Sequence, residues 1–313
     1  MRACDLESTA GYVASKRGSD GGYLSYQYMD MFESAADDTF YALATLRLLG
    51  REAPGVEATE AFLKGLQLPG GGYRSLLVAY YAVKALSLLG ARLRDPRGAR
   101  SYILEVAGGI ASGGEARGFI AEDEHFLEDG SLKSFDEAQL ISGGEVPSPL
   151  LAASLGLEAL SLLGGPPEGF AELVGGVVEG YVERWRGSAE PTLDSVFHAL
   201  RVYRLLGREP PRELGRYVEG CESEEGGFTV RPGVETRFLE HTYYGLRSLS
   251  LLGLEPRRPR RHVEHICSCQ NGDGGFRRSP MLGLSTLENT FYAVAALVML
   301  GEAGGGEGLE GVL

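Results

Sequence analysis

The residues that could do chemistry recur at matched places in the chain. Asp37, Asp38, Asp194, Glu240, His241, Glu288 and Asn289 each stand at the start of an apolar run. A few residues further in come pairs of rings: Phe40-Tyr41, Tyr80-Tyr81, Phe197-His198, Tyr243-Tyr244 and Phe291-Tyr292. Carboxylates, an imidazole and an amide above aromatic faces suit a ligand with a polar head and an apolar body. Aromatic faces also attract a developing cation. If the runs are helices, their N-terminal N–H groups and dipoles would favour a bound anion such as a diphosphate.

The elements that carry these residues are repeats. The runs DTFYALATLRLLG, VAYYAVKALSLLG, AASLGLEALSLLG, SVFHALRVYRLLG, HTYYGLRSLSLLG and NTFYAVAALVMLG close at Gly50, Gly90, Gly164, Gly207, Gly253 and Gly301. Each reads as a helix that is apolar nearly all round and ends in a glycine able to take a left-handed C-cap. Between them lie amphipathic stretches, and four Gly-Gly-aromatic turns close at Tyr23, Tyr73, Phe228 and Phe276. The unit is an outer helix, a Gly-rich turn and an inner helix. Six such units predict an all-α fold, an (α/α)6 barrel of six helical hairpins, because an open superhelix would expose its apolar last helix. The closing glycines are 40, 74, 43, 46 and 48 residues apart, and the long interval places an acidic, Gly-rich insertion at about 108–144. Residues 1–313 are thus expected to form one domain, with the insertion loop-rich and mobile.

The turns carry a further pattern. Gln270-Asn-Gly-Asp-Gly-Gly-Phe276 and Gln67-Leu-Pro-Gly-Gly-Gly-Tyr73 place Gln, Gly and an aromatic at fixed spacing, and the segment from Cys221 to Phe228 is a variant without the Gln. This resembles the prenyltransferase and squalene-oxidase repeat of protein prenyltransferase β subunits and triterpene cyclases. The stretch GGFTVRPGVETRFLEHTYYGLRSLSLLG resembles most the Rab geranylgeranyltransferase β subunit, with His241 at the position of its zinc-binding histidine. The resemblance implies an enzyme that binds an isoprenoid diphosphate in the barrel and transfers the prenyl group to an acceptor. Arg231 and the helix N-termini would hold the diphosphate. Tyr41, Tyr80, Tyr81, Phe197, Tyr243, Tyr244 and Tyr292 would line the isoprenoid, and Asp194 and His241 would be catalytic. It also implies a zinc ion held by Asp, Cys and His, and a helical α-type subunit or peptide acceptor as partner. Here Asp194 and His241 remain, but no Cys occupies the third position.

Two rivals stand beside this reading. The missing Cys favours a non-catalytic lipid- or peptide-binding barrel. A single-barrel terpene cyclase would need the Asp-x-Asp-Asp acid motif, whose nearest string, Ala35-Ala36-Asp37-Asp38, lacks the first Asp. A net charge of -13 argues against nucleic acid as a partner. Nothing suggests a nucleotide cofactor. The longest apolar stretch, residues 291–300, is too short to span a bilayer, so a cytoplasmic protein is expected. The four cysteines do not make a disulfide framework for a chain this long, Cys267 and Cys269 read as small buried thiols, and His262 and His265 read as outward-facing residues of an outer helix.

Overall fold

The computed structural model describes residues 4–25, 34–114, 118–119, 148–187, 189–281 and 283–304. The helices among them are α1 (Leu6–Ser15), α2 (Ala36–Leu48), α3 (Val56–Gly65), α4 (Leu76–Leu88), α5 (Pro96–Ala111) and α6 (Pro149–Leu162). They continue with α7 (Glu168–Gly187), α8 (Leu193–Leu205), α9 (Arg212–Gly220), α10 (Leu239–Leu251), α11 (Pro259–Ser268) and α12 (Leu287–Met299). Odd-numbered helices are outer and even-numbered helices inner. Each inner helix packs on the next, α2 on α4 through to α10 on α12, and α12 packs back on α2. The ring is therefore closed, as the repeat count requires. Among the described residues the extended backbone forms only isolated bridges, all in the turns.

The inner helices stop where the sequence places their glycines. Gly50, Gly90, Gly164, Gly207, Gly253 and Gly301 all have positive φ, the conformation that satisfies the last carbonyls of a helix without a Cβ clash. The turn glycines have a second reason. A Cβ on Gly21, Gly71, Gly226 or Gly274 would come within 2.5, 2.4, 2.0 or 2.3 Å of an atom of the following outer helix, backbone in every case. These turns thus press directly on the neighbouring hairpin. The aromatic that follows is buried in each case. For Tyr23, Phe228 and Phe276 its N–H donates to a threonine of the paired inner helix, Thr39, Thr242 and Thr290.

The glutamine of the repeat joins one hairpin to the next. Gln67 Nε2 donates to the carbonyls of Gly71 and Asp95, both at 2.7 Å, and Gln67 Oε1 accepts from the Asp95 N–H. Gln270 does the same for Gly274 and Asp5, so the last turn grips the cap of the first helix. In the variant unit Glu222 takes this place and accepts from the Arg258 N–H at 2.9 Å.

Three expectations are corrected here. Cys4 and Cys267 form a disulfide that ties the start of α1 to α11, while Cys221 and Cys269 are free and buried. Spacing could not reveal this pair, because ring closure brings together residues 263 apart in sequence. His262 and His265 are buried, not outward-facing. They share the inward stripe of α11 with Val263 and Ile266, and Gly227 N–H donates to His262 Nδ1 at 2.8 Å. That bond leaves the His262 Nε2 proton for Glu222 Oε1, 3.1 Å away. Finally, α5 runs to Ala111, so the helix overlaps the expected start of the insertion. Gly118 and Phe119 lie against the start of α4, to which their carbonyls are bonded, and Phe119 is buried. The rest of the expected insertion, residues 115–117 and 120–144, lies outside the described residues. Among the described residues no helix is long and apolar enough to cross a membrane.

Candidate active site

Because the inner helices share one direction, residues at equal distance from their N-caps form layers. Two residues past the cap stand Asp37, Asp194, Glu240 and Glu288. Five and six residues past it stand the aromatic pairs. Nine and ten residues past it stand Lys84, Glu158, Arg201 and Arg247.

The first layer holds carboxyls with too little positive charge to balance them. Asp38 accepts from the N–H and the hydroxyl of Ser25, both at 2.6 Å. Burial and the neighbouring Asp37 nevertheless push its carboxyl up to about 7. Glu288 is pushed up to about 8 by burial, then by Glu240, Asp37 and Asp38. It accepts hydrogen bonds from Tyr292 (3.1 Å) and Tyr41 (3.3 Å). Asp37 is exposed, yet desolvation raises its carboxyl as well. Glu240 is also raised by burial, against the pull of Arg278, whose Nε lies 2.6 Å from Glu240 Oε1. At neutral pH Glu288 therefore keeps its proton and Asp38 keeps it part of the time.

The second layer is a nearly complete ring of aromatic faces. Phe40 and Tyr41 touch Phe291, with ring centroids 5.8 and 5.4 Å apart. Tyr243 stacks on Tyr292 at 5.0 Å and Phe197 on Tyr244 at 4.9 Å. Tyr81 packs against Phe40 and Tyr41, and Tyr80 against Tyr81. Tyr41 and Tyr81 share a 2.7 Å hydrogen bond. Helix α6 breaks the ring, because it offers Ala153 and Ser154 at this level. Near this gap a cavity of about 270 Å³ lies between α6, α7 and α8, with Asp194, His198, Leu150, Leu151 and Tyr181 among its walls.

The sequence-predicted site residues divide. Tyr41, Tyr80, Tyr81, Phe197, Tyr243, Tyr244 and Tyr292 all join the ring. Asp194 and His241 stand on adjacent inner helices. His241 is held down to about 4 by desolvation, which the charge of Asp194 partly offsets. Its Nδ1 is buried without a hydrogen-bond partner. Arg231 lies exposed in the turn before α10, and its charge reaches Tyr217 on α9. Among the described residues no three His, Cys, Asp or Glu side chains converge to hold a metal. The donor set thus does not fit the zinc site that the resemblance implies, and no step below runs through zinc.

Sequence reasoning passed over the third layer. Lys84, Glu158 and Arg201 interrupt the apolar runs of α4, α6 and α8, and that interruption was the available signal. Lys84 Nζ lies 2.8 Å from Glu158 Oε1, and Arg201 lies 2.6 Å from Glu158 Oε2. Tyr80 OH donates to Glu158 at 2.6 Å. Burial alone would protonate Glu158, but the Arg201 and Lys84 charges override it and hold the carboxyl at about 2.

The prenyltransferase alpha-alpha toroid domain matches residues 1–75, 67–238 and 234–310. Among solved structures, the chain is similar to a variant of the type II terpene cyclase MstE from Scytonema in complex with merosterolic acid A. That similarity has 12% identity, 94% of each chain covered and a TM-score of 0.51. The apo form of MstE from Scytonema is similar at 12% identity, covering 94% of this chain and 95% of that one, with a TM-score of 0.42. No curated protein sequence matches the chain.

Proposed function

Since the chain belongs to the prenyltransferase alpha-alpha toroid family, we propose that it is an isoprenoid-processing enzyme that starts its reaction by protonating an alkene and ends it in cyclisation. The observation that carries this reading is the stacking of the first two layers. Carboxyls raised to about 7 and about 8 sit over a ring of aromatic faces. An acid must hold its proton at the working pH to deliver it, and burial and like charge do that here. The carbocation that forms needs an apolar wall with negative faces, which the ring supplies.

Asp37 is the donor in this reading. It faces the mouth, whereas Asp38 is tied to Ser25 and Glu288 to Tyr41 and Tyr292. The first Asp of the cyclase motif is absent from α2, and Glu288 on α12 supplies a third carboxyl within electrostatic reach. The Asp37 proton forms a C–H bond at one alkene carbon. The other carbon becomes cationic, a neighbouring alkene attacks it to close a ring, and loss of a proton restores neutrality. The product is then an isomer of the substrate. The similar MstE structure is that of a type II terpene cyclase with a product bound, which agrees with this reading.

The pairing of Asp194 with His241 favours a second reading, prenyl transfer from an isoprenoid diphosphate, aided by a helical partner subunit in the cytoplasm. One assay separates the two. In deuterated water, protonation places solvent deuterium on a product carbon and releases no diphosphate, and Asp37→Asn removes the label. Prenyl transfer releases diphosphate and leaves the transferred chain unlabelled. Diphosphate release without labelling would overturn the cyclase reading.

A further inference from the structure

The aromatic ring is broken at one helix, and the space beside the break has walls that suit one kind of ligand end. Five inner helices present a ring five residues past the cap, whereas α6 presents Ala153 there and Ser154 next, both buried. The cavity of about 270 Å³ lies beside this gap, between α6, α7 and α8. Pockets that enclose a whole organic ligand start at about 300 Å³, so this one takes an end of a chain rather than all of it. Leu150 and Leu151 of α6 form its apolar side, one turn nearer the mouth than the gap. Tyr181 of the outer helix α7 is a further wall, and the Trp185 ring packs edge-on against it, with centroids 5.9 Å apart.

The hydroxyls on the polar side are committed to the helix caps. Ser148 Oγ accepts from the Leu151 N–H at 3.1 Å. Ser195 Oγ accepts from the N–H and the hydroxyl of Thr192, at 3.0 and 3.1 Å, and donates to the Thr192 carbonyl at 2.7 Å. His198 Nδ1 accepts from the Arg201 guanidinium at 3.0 Å. That leaves Asp194, four residues before His198 and so on the same face of α8. Among the described residues nothing donates a hydrogen bond to its side chain. A carboxylate accepts hydrogen bonds and repels anions. We propose that this cavity seats one end of the substrate, a neutral hydroxyl head that donates to Asp194, while the isoprenoid chain crosses the aromatic ring to Asp37. This rests on the cyclase reading for the alkene end of the chain, and the seat for the head is a matter of binding. The span agrees with it, because α2 and α8 stand opposite each other in the ring of six inner helices. Neighbouring axes 8–10 Å apart put opposite axes about 16–20 Å apart, and side chains from both sides leave roughly 5–10 Å to bridge. The head is therefore an alcohol or phenol, since a carboxylate or diphosphate would face Asp194.

Trp185 is the only tryptophan of the chain, so its emission reports on the cavity wall. Titration with farnesol, farnesyl methyl ether and farnesoic acid, followed by that emission and by calorimetry, tests the seat without turnover. Farnesol should bind and change the Trp185 emission. One hydrogen bond to a carboxylate predicts that the ether, which lacks the O–H, binds about tenfold more weakly. The acid, anionic at neutral pH, should bind at least about tenfold more weakly as well. Asp194 is only half-buried at the start of α8, so Asp194→Ala should fold, and it should bring alcohol and ether within about threefold of each other. Asp194→Asn keeps an acceptor, so it should keep the preference for the alcohol over the ether while the acid gains affinity. Absence of farnesol binding, or equal binding of alcohol and ether by the unaltered protein, would overturn the proposal. So would tighter binding of the acid, a preference that survives Asp194→Ala, or farnesol binding that leaves the Trp185 emission unchanged. Asp37→Asn should keep the alcohol preference, so failure of the labelling assay would sink the cyclase reading and leave the seat standing.

Discussion

Breaking the Cys4–Cys267 disulfide should cost stability without opening the barrel. The bond closes a loop of 263 residues, from just before α1 to the last turn of α11. A cross-link acts mainly on the unfolded chain, and for a loop of this length the chain-entropy relation gives about 5–6 kcal/mol at 25 °C. The native junction does not depend on the bond alone. Gln270 still grips Asp5, and the Gly274 turn still presses on Ser8. With an unfolding entropy of about 2.1 cal/mol/K per residue, the loss corresponds to a fall in Tm of roughly 8 °C. The assay is calorimetry of the oxidised protein against the Cys4→Ser/Cys267→Ser double variant, with helical content compared by circular dichroism. Alkylation in denaturant followed by intact mass measurement should add two groups without reductant and four with it. Four additions without reductant would show that the bond is absent. A change in Tm below about 2 °C would show that the unfolded chain is not constrained as the entropy relation requires.

Other outcomes follow from the same geometry. Turnover should fall as pH rises through about 7 to 8, because Asp38 and Glu288 then lose their protons and their negative charge makes the neighbouring Asp37 a weaker proton donor; a rate that rises across that window would refute acid initiation. Both folded values lie above the unfolded ones, so stability should fall between about pH 5 and 8, and Glu288→Gln should flatten that slope in denaturant titrations. His241→Ala should lower turnover or ligand affinity with little change in Tm, since its Nδ1 has no partner to lose; a large drop in Tm would make it a packing residue. Gly274→Ala should destabilise by more than ~2 kcal/mol, because φ is +90° and the new Cβ would lie 2.3 Å from the Ser8 carbonyl oxygen. Gly272→Ala, with nothing within 4 Å, is the control for that urea midpoint.

The order of residues along the chain was enough to specify the repeat. A glycine after each apolar run ends an inner helix, and a Gly-Gly-aromatic string marks a turn whose backbone needs positive φ, so both are local facts written in local sequence. The aromatic ring was legible for the same reason, since equal spacing from the helix starts puts Tyr41, Tyr81, Tyr244 and Tyr292 at one level. Ring closure was not local. It joined Cys4 to Cys267 and Gln270 to Asp5, and no spacing rule pairs residues so far apart. It also turned His262 and His265 inward, because the stripe that α11 buries depends on which hairpin it meets. The electrostatics needed the closed ring most of all. Asp37, Asp38, Glu240 and Glu288 are ordinary helix-start acids taken singly, and only their convergence in a desolvated mouth raises them together. Lys84, Glu158 and Arg201 lie on three separate helices, and a charge alone in an apolar run says little until the neighbouring helix shows what stands beside it.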